Sequence, residues 1–394
     1  MLTQLATRYG SFLRQPHVTV LLVTALITRM PLGTVGFSML MHLRDISGSF
    51  ATAGTAGGTY LASSALFAPV LGRIIDRNGP RVPLLVCAIV CPLALLLIVF
   101  ARPLQLGLPT LTFAAAVAGA FAPPITVLMR TIWRYRFTDE HDRRIAYAVD
   151  AVLVELAFTL GPALIGVLLA IATPSIAFAV AWVFMAIAVP VFAASPAMRY
   201  WKHEPGVERH LLGPLTEPRL LVVYLVTALL TFSLGMLEVG YPGFATAAGA
   251  PALAGMLLAI NSSGSALGGL AYGGLHIARP VERQLRASLL LLAIPLALHI
   301  PVTAMSLLAV LAFAAGLFIA PSLAAATMLV SSNAPSRYAT EAFTWSATFI
   351  IAGVGAGMAF AGQLLERTNA NTVFGAAAVA ALVAASAALA LRPR

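Results

Sequence analysis

The sequence predicts an all-α membrane protein, with twelve transmembrane helices arranged as two related bundles of six. Three observations carry that prediction. Of the 394 residues, 60% are hydrophobic and only 10% are charged, against roughly 25% charged in soluble domains. A soluble fold must clothe itself in polar side chains, whereas a chain in a bilayer needs charge mainly where its helices emerge. Twelve apolar stretches follow one another along the chain, and short segments of the first half return in the second.

Cut at charged, Pro-rich or Gly-rich breaks, the stretches are 17–43, 51–72, 82–101, 106–129, 146–171, 174–195, 219–242, 252–274, 287–301, 304–329, 339–364 and 372–391. Most hold the roughly 20 residues that cross about 30 Å of hydrocarbon as a helix, and 287–301 is the shortest. The first is too long for a signal-peptide core, so it is kept as helix one. Cys87 and Cys91 stand four apart on helix three, where a disulfide along one face would be strained, and read as packing residues. His42 and His299 fall near helix ends and read as interfacial.

Positive charge sets the orientation, because Lys- and Arg-bearing loops stay in the cytoplasm. With the N-terminus inside, twenty of the 24 Lys and Arg fall in cytoplasmic segments and three outside (Arg44, Arg102, Arg367), which leaves Arg29 inside helix one. The net charge of +10 is thereby a topology signal rather than a nucleic-acid footprint. Both termini are expected in the cytoplasm.

The repeat gives the domain plan. Leu22 to Thr28 reads LVTALIT and Leu225 to Thr231 reads LVTALLT, 203 positions on. Ser64-Ala65-Leu66 with Gly72 returns as Ser265-Ala266-Leu267 with Gly273, and GAFAPP at 119–124 resembles GLFIAP at 316–321. Helix one thus matches seven, two matches eight and four matches ten. The longest polar stretch lies between, so the expected division is residues 1–195, a cytoplasmic linker 196–217, and residues 218–394. Two parallel halves of this kind suit alternating access around a site near the midplane.

After helix two, Gly72-Arg73-Ile74-Ile75-Asp76-Arg77-Asn78-Gly79-Pro80-Arg81 fits the pattern G-x-x-x-D-R-x-G-x-R. This resembles the signature loop of the major facilitator superfamily, and the twelve-helix topology extends the likeness over the whole chain. Gly72 is read as allowing close helix packing, Gly79 a tight turn, and Asp76 as an anion suited to a helix N-terminus. The resemblance implies that the partner of Asp76 is the start of helix eleven, around Tyr338 to Glu341, in a conformational latch to which Arg77 and Arg81 add salt bridges. A basic loop that only anchors topology is the competing reading. Helix five, with Glu155, Gly161, Pro162 and Gly166, and helix eleven, with Trp345, Gly353 and Gly357, resemble the same group of bacterial efflux permeases, whose place would be the inner membrane.

Charges inside the membrane are the functional candidates. Of fourteen carboxylates, Asp150, Glu155, Glu238 and Glu341 fall within helices, and Arg29 joins them. A charge at mid-bilayer costs at least about 2.5 to 3.5 kcal/mol. Measured from the helix starts, Arg29 and Glu155 both lie roughly 14 to 18 Å deep, and are read as the leading pair, functional or a permanent staple of helix one to helix five. Asp150 and Glu341 read as shallower, with Arg144, Arg130 or Arg337 as partners, while Glu238 stands near the outer end of helix seven. Asn261, Tyr60 at its repeat-equivalent position, and Trp345 are candidates to line an amphipathic cavity, with helix packing as the alternative for each.

No H-E-x-x-H, P-loop or G-x-S-x-G occurs and the seven histidines lack ligand spacing, so neither enzyme chemistry, a metal nor a cofactor is expected. The reading is a monomeric, proton-coupled exporter of small organic molecules. Its alternatives are an importer of a nutrient or organic anion, and a membrane sensor or scaffold without transport. Its partners are a small-molecule substrate, protons and the bilayer.

Overall fold

The computed structural model describes residues 12, 14–137, 140–201, 213–274, 279–334 and 339–391. For residues 76, 77, 134, 140–145, 147, 148, 151, 155, 213, 273, 274 and 339–341 it describes the backbone alone. The described chain is helical, without strands. In order come α1 (Val18–Ser47), α2 (Phe50–Asn78), α3 (Arg81–Val99), α4 (Leu108–Ala120), α5 (Ile125–Arg136), α6 (Glu140–Ile171), α7 (Pro174–Ala194) and the short α8 (Ala197–Tyr200). The second half holds α9 (Pro218–Ala247), α10 (Leu253–Gly274), α11 (Val281–Leu298), α12 (Met305–Gly316), α13 (Ile319–Asn333), α14 (Ala339–Arg367) and α15 (Ala370–Ala387).

Local chemistry sets these boundaries. Gly48 closes α1 with φ 71°, its N–H returning to the Arg44 carbonyl, and Ser49 starts α2 by accepting a hydrogen bond from the Thr52 N–H. Gly79 takes φ 80° between α2 and α3, a turn that a side chain would strain. The fourth span is α4 with α5, interrupted where Pro123 and Pro124 supply no N–H to continue the helix. Its counterpart, α12 with α13, breaks at Leu317 and Phe318, just before Pro321.

Among the described residues, eleven helical segments are long and apolar enough to cross a membrane. The twelfth span is α11, which starts six residues before the expected 287 because Glu282, Arg283 and Arg286 are already helical. Side chains such as Ile171 and Phe113, 77% and 70% exposed, form the apolar outer belt that lipid covers. His42 and His299 are not interfacial but buried. The His42 ring lies 3.0 Å from the Ile98 carbonyl oxygen and stacks on Phe178, while His299 meets Tyr241 and Phe374. Cys87 and Cys91 are free and buried.

The repeat reappears as backbone contacts. In the first half a Cβ on Gly33 of α1 would collide with Ala157 and Gly161 of α6; in the second, one on Gly235 of α9 would collide with Val354 and Met358 of α14. A Cβ on Gly119 would strike the carbonyl of Tyr60, and one on Gly316 the carbonyl of Asn261. Gly119 and Gly316 occupy matching positions of the two halves, and Gly33 and Gly235 lie within one residue of matching, so both bundles are assembled on the same kind of close approach.

Candidate functional site

A buried ion pair joins α1 to α6. Arg29 Nη2 donates to Asp150 Oδ1 at 2.6 Å, and the two side chains are 0% and 1% exposed. The broken fourth span completes the cluster from α5, where the Trp133 indole Nε1 donates to the same oxygen at 2.8 Å. Arg130 Nε reaches Asp150 Oδ2 at 3.4 Å, although its side chain is 57% exposed. One carboxylate thus serves two guanidinium groups and an indole. Nε and Nη1 of Arg29 are buried without a partner among the described residues.

Sequence reasoning paired Arg29 with Glu155; among the described residues the carboxylate in contact with Arg29 is Asp150. α6 starts at Glu140, well before the apolar stretch begins at 146. From the helix starts, Arg29 and Asp150 lie at about 16 Å and about 15 Å along their axes, and Glu155 about 22 Å. The Glu155 side chain lies outside the described residues. Counted by the repeat at its offset of 203, Phe232 of α9 stands in place of Arg29, so the second half has no matching cation.

The neutral candidates are held by helix packing. Asn261 Nδ2 donates 2.8 Å to the Ala312 carbonyl of α12, and Tyr60 is buried. Trp345 is half-buried with its ring 6.3 Å from that of Phe349. Glu238 is half-buried on α9, and no hydrogen bond or ion pair reaches it among the described residues.

Among the described residues a Cβ on Gly72 of the signature loop would meet nothing within 4 Å. Arg81 is exposed at the first turn of α3. The side chains of Asp76, Arg77 and Glu341, and the whole of residues 335–338, lie outside the described residues, so the latch contact does too.

The two halves meet most closely at the end of the bundle that carries the Gly48 turn. There α2 crosses α14, with Gly54 against Met358 and Gly362, and Gly58 against Gly355 and Ala359. The matching interface sets α6 on α10, with Gly166 against Ala252 and Gly255, and Pro162 against Gly255; Gly161 turns to Gly33 instead. Within the second half, Gly353 abuts Ala228 and Thr231 of α9, and Gly357 abuts Phe232. Because the repeat maps α2 onto α10 and α6 onto α14, one two-fold exchanges the two inter-half contacts.

Sequence reasoning missed a polar clasp at this end. Glu366 of α14 accepts from Ser49 Oγ at 3.0 Å and from the Ala51 N–H at 3.3 Å, and Gln363 donates to Thr55 Oγ1 at 3.3 Å. The first turn of α2 has no acidic residue of its own, so the other half supplies the anion that its exposed N–H groups favour. Glu366→Ala is expected to loosen this end by about 1 kcal/mol, the usual value of a cap. Thiol labelling of a cysteine at Thr55 should then rise severalfold, and labelling at the wild-type rate would remove the clasp.

The family model described as Major Facilitator Superfamily matches residues 21–234. Two curated relatives named multidrug resistance protein MdtG are similar over a shorter stretch. That of Klebsiella pneumoniae (strain 342) is 31% identical over 125 residues, and that of Enterobacter lignolyticus (strain SCF1) is 29% identical over 123. The first match spans 30% of this chain and 30% of the relative, the second 30% and 29%. Among solved structures, the nucleoside transporter NupG superposes with a TM-score of 0.74 at 14% identity, over 94% of this chain and 98% of that one. A bacterial homologue of the human lysosomal transporter Spinster, described as inward-facing and occupied, gives 0.65 at 16% identity over 97% and 96%. These likenesses agree with the fold. With more than half of its length matched by the family model and the fold shared end to end, the chain belongs to the major facilitator superfamily.

Proposed function

We propose that this transporter is a proton-coupled exporter of small organic molecules, with Asp150 as the group that takes and gives the proton. The observation that carries the reading is the buried Arg29–Asp150 pair, a charge pair set deep in a membrane helix bundle where it is costly to keep. A proton on Asp150 would remove the charge that holds the Arg29 guanidinium, which keeps its own charge, and so uncouple α1 from α6. The MdtG names support export, and the two glycine interfaces support a rocking of the halves. With the Arg-rich loops in the cytoplasm, the end closed by Glu366 is periplasmic and the described state opens inward. The termini are then cytoplasmic and the membrane is the bacterial inner membrane. The same reading keeps the division at 196–217 and the Asp76 loop as the latch of the opposite state.

The test is substrate-driven proton flux in proteoliposomes, screened with organic cations, anions and sugars. Flux should be lost in Asp150→Asn, regained in Asp150→Glu and kept in Glu155→Gln. Loss in Glu155→Gln alone, with Asp150→Asn active, would return the proton to Glu155. A second reading, uptake of an organic anion with a proton, is favoured by Nε and Nη1 of Arg29, which have no partner among the described residues. Flux driven by anions only, inward, would select it.

A further inference from the structure

The fourth span ends in a helix whose place is set by its side chains. α5 is cut from α4 at Pro123 and Pro124, where the helical ladder is broken. Its Ile125, Leu128, Met129, Ile132 and Trp133 recur at helical spacing, and all five are buried. The core they enter also takes in Phe12 before α1, Phe192 of α7 and Ala197 of α8. α5 is therefore seated on the N-terminal segment and on the start of the linker as well as on its own bundle.

The far end of α5 is gripped. The Arg136 guanidinium meets two rings, 5.0 Å from the centroid of Phe137 and 5.2 Å from that of Tyr200 in α8, and its Nη2 donates to the Pro16 carbonyl at 3.4 Å. Phe12 closes on Phe137 at 5.2 Å and His17 on Tyr200 at 6.4 Å. A guanidinium over aromatic faces is held by the ring quadrupoles and by stacking. One turn back, the Trp133 ring stacks on Phe137 at 6.1 Å, and its Nε1 donates to Asp150 Oδ1. A run of ring contacts thus joins the place where the chain leaves the first half to the carboxylate of the buried pair.

We propose that Trp133 is a positioning residue for the proton step, and that the clamp on Arg136 holds it to that task; this rests on the reading of Asp150 as the proton carrier. An indole N–H donates and cannot accept, so Trp133 orients the carboxylate without competing for its proton. The bond has little slack. At 2.8 Å, a slide of α5 by about 1 Å would take it beyond hydrogen-bond range. With α5 cut from α4, that slide is resisted by the clamp, whose outside partners are Tyr200 of α8 and Pro16 before α1. Neither belongs to α6, so the donor does not travel with its acceptor. When Asp150 parts from Arg29 and returns, it meets the indole where it left it, as a preorganised site requires.

Exchange of the Trp133 indole proton with deuterium reads the bond without any transport. It is followed by NMR of isotope-labelled tryptophan in the full chain in nanodiscs, with signals assigned by single Trp→Phe replacements. Exchange should be about tenfold faster in Arg136→Met and in Tyr200→Ala, and Tyr200→Phe, which keeps the ring, should restore the wild-type rate. Substrate-driven proton flux in proteoliposomes reads the consequence. Trp133→Phe should lower the maximal rate about tenfold, the loss of one hydrogen bond to a charged group, with the half-saturating substrate concentration unchanged. Arg136→Met should lower it likewise, and should add nothing in the Trp133→Phe background. Thermal melts confirm that each variant is folded. Wild-type exchange in folded Arg136→Met and Tyr200→Ala overturns the clamp. Wild-type flux in Trp133→Phe while Asp150→Asn is inactive overturns the positioning role, as does full additivity of the two variants. Flux kept by Asp150→Asn defeats the coupling reading and the positioning role with it, while the clamp stands or falls on exchange alone.

Discussion

Gly58→Leu should leave both six-helix bundles folded while driving the protein out of the described state. Gly58 is packed against Gly355 and Ala359 of the other half, and any side chain there must push α2 from α14. Overpacking of this kind costs about 1 to 3 kcal/mol, which as a population shift is about 5- to 150-fold. The double variant Gly54→Leu/Gly58→Leu extends the wedge along the same line. In whole cells, cysteines at Thr55 and Gln363 should become labelled, cysteines at the Gly79 end should become protected, and transport should fall more than tenfold. By contrast, Gly33→Leu and Gly235→Leu wedge helices apart inside a half and should abolish folded protein altogether. Unchanged labelling in Gly58→Leu at wild-type yield would mean that the glycine contact does not govern the state.

Breaking the Arg29–Asp150 pair from either side has the largest expected cost in stability. Arg29→Met leaves Asp150 buried with the Trp133 indole and a distant Arg130, while Asp150→Leu leaves a fully buried guanidinium with no counter-charge among the described residues. Removing one member of a buried pair costs about 3 to 5 kcal/mol. The double variant Arg29→Met/Asp150→Leu replaces the pair by apolar side chains and should regain most of the wild-type melting temperature. What it should not regain is proton flux. That split separates a working pair from a staple, because a purely structural role predicts that stability and transport return together. A double variant that melts and transports as wild type would move the function elsewhere in the chain.

Much of the fold is legible in the sequence because the bilayer imposes it. Span number and the match of helix one to seven follow from apolar length and short repeated words, whereas the break in the fourth span does not, since the apolar stretch 106–129 runs through Pro123 and Pro124. Helix ends are less legible, since α2 and α6 run on past their apolar stretches and α11 begins among its charges. The same shift bears on the site. A depth counted from Glu140 rather than from 146 sets Asp150 level with Arg29 and Glu155 about 7 Å further along the helix. The equivalence of Tyr60 and Asn261 was visible, but not its use. In lipid a side-chain amide bonds the nearest free carbonyl, and only the packing shows that this belongs to Ala312. Gly54, Gly58 and Gly255 carry no local sign that distinguishes them from the other 28 glycines. Their meaning lies in which helix crosses them.

The distance of 121 residues between Arg29 and Asp150 also sets an order of events during synthesis. At about 5 to 20 residues per second, Arg29 enters the membrane on the order of ten seconds before its counter-charge exists. Over that interval α1 carries an unneutralised guanidinium, which can reach water only by lying shallow or by staying beside the insertion machinery. Arrival of α6 releases it to full depth, so the first bundle closes late and as a unit. The second bundle, with Phe232 in place of Arg29, has no such wait and can settle helix by helix as it emerges.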